Sequence, residues 1–268
     1  MNKKALAAAM MSAAFVLVGS IAAAQTKPNR TAIAAEPHNV LWVGNSFFYY
    51  NNSMHNHVLA LVRAANPAGQ FRAVSVTISG SGIDWHDMQS YFRPDGIGKY
   101  SFVGDNEIAF NPAGPQFDTV ILMDCSQCPI HPKLQSVFHE FAKKQAQIIR
   151  SNRAQPVLFM SWAYKDKPEM TAQLAEQYTI AGNDNDALVI PAGLAFAAAR
   201  AKRPGLELYQ PDKRHPSLAG TFLAASTVYA TIYGKSPVGL SYTAGLDPDL
   251  AAFLQAVAWE TVQGYFKK

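Results

Sequence analysis

Short apolar runs alternate with longer amphipathic stretches through most of this chain, and that alternation limits its architecture more than any other feature. The runs Asn39 to Gly44, Arg72 to Ile78, Phe117 to Met123, Pro156 to Trp162 and Ala187 to Pro191 have the length and apolar character of strands. Between and after them, helical spacing marks Phe47 to Ala65, Asp84 to Phe92, Lys133 to Ser151, Pro168 to Gly182, Pro216 to Tyr233 and Pro248 to Phe266. Strands joined through helices pair in parallel, and a parallel sheet must be covered on both faces. The pattern predicts an α/β fold, a three-layer α/β/α sandwich around a mostly parallel central sheet. The stretch from Tyr91 to Gln116 breaks the rhythm with Gly, Asn and Pro, and predicts a long loop or small hairpin of the kind that often shapes a binding site.

The amino terminus carries a different signal. Lys3 and Lys4 precede an apolar run from Ala5 to about Ile21, and Ala22-Ala23-Ala24 supplies small residues before Gln25. This is the pattern of a secretory signal peptide over residues 1–24, which predicts a periplasmic or secreted product. A membrane anchor is the structural alternative, but the run is short, rich in Ala and ends in an Ala-x-Ala site. Residues 25–37 are polar, Pro-bearing and aperiodic and read as a leader, so one domain is expected over residues 38–268. The formal charge of +4 falls to +2 once Lys3 and Lys4 are removed, so the basic balance does not point to nucleic acid. No later segment is apolar enough to expect stable membrane insertion.

Two short segments carry chemistry. The first predicted strand runs into Gly44-Asn45-Ser46, and ligands of open parallel sheets bind beyond the carboxyl ends of the strands. Gly44 allows a tight turn there, and the following helix aims amides at charge developing near Ser46. Taken alone, Ser46 also reads as the cap of that helix. Far downstream, Tyr209-Gln210-Pro211-Asp212-Lys213-Arg214-His215-Pro216-Ser217 sets an aspartate and a histidine three residues apart just before another helix. A serine hydroxyl needs a base to become a nucleophile, which His215 can supply, and Asp212 can fix the His215 tautomer. In isolation these two read as a turn residue and a solvated cap.

The Gly-Asn-Ser segment after the first strand and Asp-x-x-His-Pro-Ser before a late helix together resemble the first and last sequence blocks of the SGNH (GDSL-like) hydrolases, over roughly residues 38 to 240. Gly44-Asn45-Ser46-Phe47, His215-Pro216-Ser217-Leu218-Ala219-Gly220 and Gly234-Lys235-Ser236-Pro237 resemble a little-characterised bacterial branch. The family's serine block commonly reads Gly-Asp-Ser, so Asn45 departs from it at a position that transfers no proton. The resemblance implies a flavodoxin-like fold, a serine esterase with Ser46, Asp212 and His215 as its catalytic residues, and no metal or organic cofactor. It also implies an oxyanion hole built from the Ser46 amide, a glycine amide of a second block and an asparagine side chain of a third. Gly80, in Ser79-Gly80-Ser81-Gly82, matches the second block, with Gly82 as the alternative. The third block reads Asp124-Cys125-Ser126-Gln127-Cys128 and holds no asparagine, which leaves Gln127 as the substitute donor and Ser126 as second choice. Losing one such donor costs about 3–4 kcal/mol of transition-state stabilisation. The implied partner is a small-molecule or glycan ester.

Rival readings attach to other residues. Cys125-x-x-Cys128 is the spacing of a thiol–disulfide oxidoreductase, although Pro129 and Pro132 delay the next helix and favour a structural clip bracing the loop that holds Gln127. Loss of the third-block asparagine also suits a non-catalytic ligand-binding protein on the same scaffold. His55-x-His57 and Asp84-x-His86 assemble a metal site only on paper, because residues two apart on a helix diverge. No metal site is expected. Phe47-Phe48-Tyr49-Tyr50 and Trp162 read as core packing or as the lining of an acyl or sugar pocket.

Overall fold

The computed structural model describes residues 26–267; the expected signal peptide lies outside the described residues. Its centre is a parallel sheet of five strands: β1 (Asn39–Gly44), β2 (Arg72–Thr77), β5 (Thr119–Leu122), β6 (Gln155–Phe159) and β7 (Leu188–Ile190). They lie in the order β2-β1-β5-β6-β7. Val40 stands level with Ala73 on one side and Thr119 on the other, and Thr119 in turn with Gln155. Trp42, Ile121, Leu122, Val157 and Phe159 are almost fully buried, as a sheet covered on both faces demands. The mostly parallel three-layer sandwich expected from the alternation is the observed architecture.

Helices α2 (Met54–Ala65), α6 (Ala192–Lys202), α7 (Leu218–Tyr233) and α8 (Pro248–Phe266) pack together on one side, while α4 (Gln135–Ser151) and α5 (Met170–Asp184) pack over β6 on the other. Helix α4 buries Phe138, Ala142, Gln145, Ala146 and Ile149, a stripe spaced by three and four residues. Helix α7 is apolar nearly all round and lies inside the fold. Ser217 caps its start by accepting from the Gly220 amide, and Gly234 in the left-handed conformation ends it. Among the described residues no helix is long and apolar enough to cross a membrane. Residues 26–37 form no helix or strand but run along the domain: the Thr26 amide donates to Glu176, Arg30 pairs with Asp186, and the Ala34 amide donates to Gln155.

Two local expectations need correction. The helix expected over Phe47 to Ala65 is broken into the one-turn α1 (Ser46–Tyr49) and α2, because Asn51, Asn52 and Ser53 take positive φ of 52°, 66° and 63°. Asparagine tolerates that conformation better than most residues. The helix expected from Asp84 to Phe92 is instead a 3₁₀ turn at Ile83–Trp85 followed by α3 (Met88–Tyr91). Helix α6 lay unrecognised in an alanine-rich segment. The irregular stretch after Tyr91 contains an antiparallel hairpin, β3 (Tyr100–Gly104) with β4 (Glu107–Phe110).

From β1 the chain steps to β2 on one side, then crosses back to β5, β6 and β7 on the other. The reversal falls between β1 and β5, and a crevice opens at such a switch point beyond the carboxyl ends of the strands. Ser46 follows β1 and Asp124 follows β5.

Candidate active site

Ser46 is the first residue of α1, two residues past the end of β1, and is 8 % exposed. Asn45 organises the turn. Its Oδ1 accepts from the Phe47 amide at 3.2 Å, capping the helix. Its Nδ2 donates to the Ser81 carbonyl at 3.0 Å and the Asp124 carbonyl at 3.2 Å, so one side chain ties together the loops that follow β1, β2 and β5. An aspartate carboxylate has no hydrogen to donate to either carbonyl, which gives the Gly-Asn-Ser departure a structural reason. Beneath the turn, His86 Nε2 lies 3.1 Å from both the Gly44 carbonyl and Ser81 Oγ, and Nδ1 lies 3.0 Å from the Tyr91 hydroxyl. Burial holds this imidazole below its usual titration range.

The segment from Tyr209 to Ser217 doubles back on itself. Tyr209 and Pro216 form an antiparallel bridge, and the Gln210 amide donates to the His215 carbonyl at 2.8 Å. The Tyr209 hydroxyl donates to the Ala163 carbonyl, and Trp162 Nε1 donates to the Arg214 carbonyl at 2.9 Å. Within the loop, Asp212 Oδ1 accepts from the Arg214 amide at 2.9 Å and the His215 amide at 3.0 Å. Asp212 Oδ2 lies 2.5 Å from His215 Nδ1, and His215 Nε2 lies 2.8 Å from Ser46 Oγ. Ser46, Asp212 and His215 are thus brought together in one hydrogen-bonded line. Partial burial opposes the Asp212 charge, but the bonds from the His215 ring and from the two amides outweigh it and hold its carboxyl below the usual range. A carboxylate at Nδ1 fixes the proton there, which leaves the Nε2 lone pair to accept from the serine hydroxyl.

Aromatic rings pack around the imidazole. Tyr50 stacks on it with centroids 4.2 Å apart and planes 12° apart, and Phe47 meets it edge-on at 5.5 Å. Phe47 also stacks on Trp162 at 4.7 Å, and Trp162 on Phe196 at 4.3 Å. Phe47, Phe48 and Trp162 are buried and belong to the core, whereas Tyr49 and Tyr50 reach the surface.

The expected oxyanion donors lie on three segments, those that follow β1, β2 and β5. The Ser46 amide opens the first turn of α1, where amides have no intrahelical partner. Gly80 sits in an exposed turn with φ +73°, a conformation that favours glycine. At Gly82 a Cβ would lie 2.4 Å from Asp84 Oδ1, so a side chain there would require the Asp84 carboxylate to move. Gln127 is half-buried and opens a 3₁₀ turn, its carbonyl accepting from the Ile130 amide. Ser126 is committed elsewhere, its Oγ 2.7 Å from the Tyr164 hydroxyl. Cys125 and Cys128 are joined by a disulfide that brackets both residues, with Cα atoms 5.2 Å apart.

Sequence reasoning missed Asp124. It is 2 % exposed; its Oδ1 accepts from the Ile83 amide at 2.8 Å and the Cys125 amide at 2.7 Å, and its Oδ2 is buried without a partner. Burial pushes its pKa up to about 6 against the pull of those two amides. The available signal was an acidic residue ending the otherwise apolar run Val120 to Met123.

Of the residues weighed as metal ligands, His57 and His86 have other partners. His57 lies 2.8 Å from the Tyr242 hydroxyl through Nδ1 and 2.6 Å from the Asn51 carbonyl through Nε2. Asp124, Cys125 and Cys128 cluster, but sulfurs joined to each other offer no thiolate.

No protein-family model matches the chain, and no curated protein matches its sequence. Solved structures do match. A DUF4886 family protein from Bacteroides uniformis superposes with a TM-score of 0.60 at 16 % identity, over 86 % of this chain and 96 % of that one. A catalytic mutant of an acetylxylan esterase from Geobacillus stearothermophilus gives 0.54 at 14 % identity, over 74 % and 96 %. A candidate SGNH hydrolase from Slackia heliotrinireducens gives 0.53 at 22 % identity, over 72 % and 98 %. At such identities the likeness establishes the fold: this chain has the α/β fold of the SGNH hydrolases.

Proposed function

We propose that this chain is an exported serine esterase of the SGNH hydrolase type, and that it hydrolyses carboxylic esters through an acyl-enzyme on Ser46. The observation that carries the reading is the unbroken line from Asp212 Oδ2 through His215 to Ser46 Oγ, with contacts of 2.5 and 2.8 Å. His215 Nε2 takes the hydroxyl proton as Ser46 Oγ attacks the carbonyl carbon, and Asp212 stabilises the imidazolium. The oxyanion accepts from the Ser46 and Gly80 amides and from the Gln127 side chain. His215 then gives its proton to the leaving alcohol, and in the second half reaction it activates the water that frees the acid.

The chemistry needs no cofactor. The acetylxylan esterase among the structural neighbours supports an O-acetyl group on a glycan as substrate, and the signal-peptide pattern supports a periplasmic or extracellular site of action. Labelling with a fluorophosphonate tests the reading without knowledge of the substrate. Adduct on the Ser46 peptide of the wild type, none in Ser46→Ala and little in His215→Ala are expected. Absence of adduct in the wild type, the behaviour of a ligand-binding protein on this scaffold, would overturn it.

A further inference from the structure

The residue before the base is a cation held in place. The Arg214 amide donates to Asp212 Oδ1 and the Arg214 carbonyl accepts from Trp162 Nε1, each at 2.9 Å, so the backbone on both sides belongs to the network that fixes His215. The guanidinium lies over the Tyr164 ring, 4.9 Å from its centroid. The Tyr164 hydroxyl in turn lies 2.7 Å from Ser126 Oγ, in the loop of Gln127. Neighbouring cations are neutralised: Lys165 pairs with Glu207 and Lys213 with Asp166. Arg214 is exposed, and no carboxylate pairs with it among the described residues.

A guanidinium fork matches a carboxylate with two parallel hydrogen bonds, and an aromatic face beneath it keeps the fork oriented. A neutral acetylated sugar offers such a group hydroxyl acceptors but no charge to pair with. In the proposed mechanism His215 delivers its proton to the leaving oxygen, so the alcohol portion of the ester lies against the loop that carries Arg214. We infer that Arg214 on Tyr164 is a specificity-determining subsite for a carboxylate on the alcohol portion of the substrate, as in an O-acetylated acidic sugar. The inference rests on the serine esterase reading.

Acetate release from O-acetylated galacturonate oligosaccharides and from O-acetylated xylooligosaccharides is compared in the wild type, Arg214→Lys and Arg214→Gln, with p-nitrophenyl hydrogen adipate as an ester acidic on its acyl side. Thermal melts of the three proteins confirm that they are equally folded. The wild type is expected to prefer the acidic sugar ester over the neutral one by about tenfold in kcat/KM, the scale of one charge-assisted bidentate contact. That preference should vanish in Arg214→Gln, survive in part in Arg214→Lys and shrink with added salt. An equal ratio in wild type and Arg214→Gln would overturn the inference, and so would an effect seen only with the adipate. If Ser46-dependent hydrolysis of p-nitrophenyl acetate persists in that case, the esterase reading stands without the subsite; if no ester is hydrolysed through Ser46, both fall.

Discussion

The Tyr50 phenol and the His215 imidazole lie face to face, with centroids 4.2 Å apart and planes inclined by 12°. Tyr50 follows the one-turn helix that begins with Ser46, so the segment bearing the proposed nucleophile also braces the proposed base. Stacked aromatic pairs contribute about 0.5–1.5 kcal/mol beyond the area they bury. Tyr50→Leu should therefore lower kcat/KM by roughly three- to tenfold, while Tyr50→Phe, which keeps the ring, stays close to the wild type. Steady-state kinetics on a chromogenic ester reads both, and equal losses in the two variants would point to the hydroxyl instead of the stack.

Asn51 joins the same two segments through polar contacts. Its Nδ2 donates to the Pro216 carbonyl at 2.9 Å and to Thr221 Oγ1 at 2.8 Å, and its φ of 52° turns the chain out of α1. Asn51→Ala loses both bonds and places a Cβ residue that tolerates positive φ poorly, so about 2–4 kcal/mol of stability should be lost. Asn51→Gly keeps the turn and loses only the bonds. Chemical denaturation should rank wild type above Asn51→Gly above Asn51→Ala; equal stability of the two variants would remove backbone conformation from the explanation.

The central strands were legible because a sheet buried on both faces needs continuous apolar runs, and Val40 to Val43 and Val120 to Met123 are such runs. The break between α1 and α2 was written in Asn51-Asn52-Ser53, but the helical spacing on either side outweighed it. Helix α6 has almost no polar face to contrast with its alanines, so periodicity had nothing to report. Ser46, Asp212 and His215 were legible as two segments with matching chemistry, whereas their supports were not. Tyr50 read as a core or pocket-lining aromatic, and the links of Asn45 and Asp124 to neighbouring loops depend on which strand ends the sheet topology sets side by side.

Asp124 makes stability depend on pH in a direction opposite to that of a paired carboxylate. Its pKa is raised by burial from an ordinary 3.8 to about 6, so the unfolded chain releases this proton at lower pH than the folded one. The folded state therefore loses stability as pH rises from about 4 to about 6, by about 2–3 kcal/mol from this group alone. Asp124→Asn removes the titration. Whatever its pH-independent offset, the variant should gain that amount relative to the wild type between pH 4 and pH 7 in parallel denaturation curves, and a constant difference across that range would refute the assignment.

The Cys125–Cys128 disulfide closes a very short loop, with a sequence separation of 3. Loop-closure entropy then gives it only about 2 kcal/mol, which for a domain of this size lowers the Tm by roughly 4–8 °C when both cysteines become serine. Ester hydrolysis should persist in the double variant, reduced to the extent that the Gln127 loop loosens. Insulin reduction by the wild type, or complete loss of acyl transfer in a folded double variant, would give the bond a chemical role instead.

The central claim is that Ser46 is an activated nucleophile. Hydrolysis of p-nitrophenyl acetate by the purified protein and by Ser46→Ala, measured side by side with a thermal melt of each, tests it most directly. Turnover in the wild type that disappears in an equally folded Ser46→Ala is the predicted result. Turnover that survives the substitution would contradict the account.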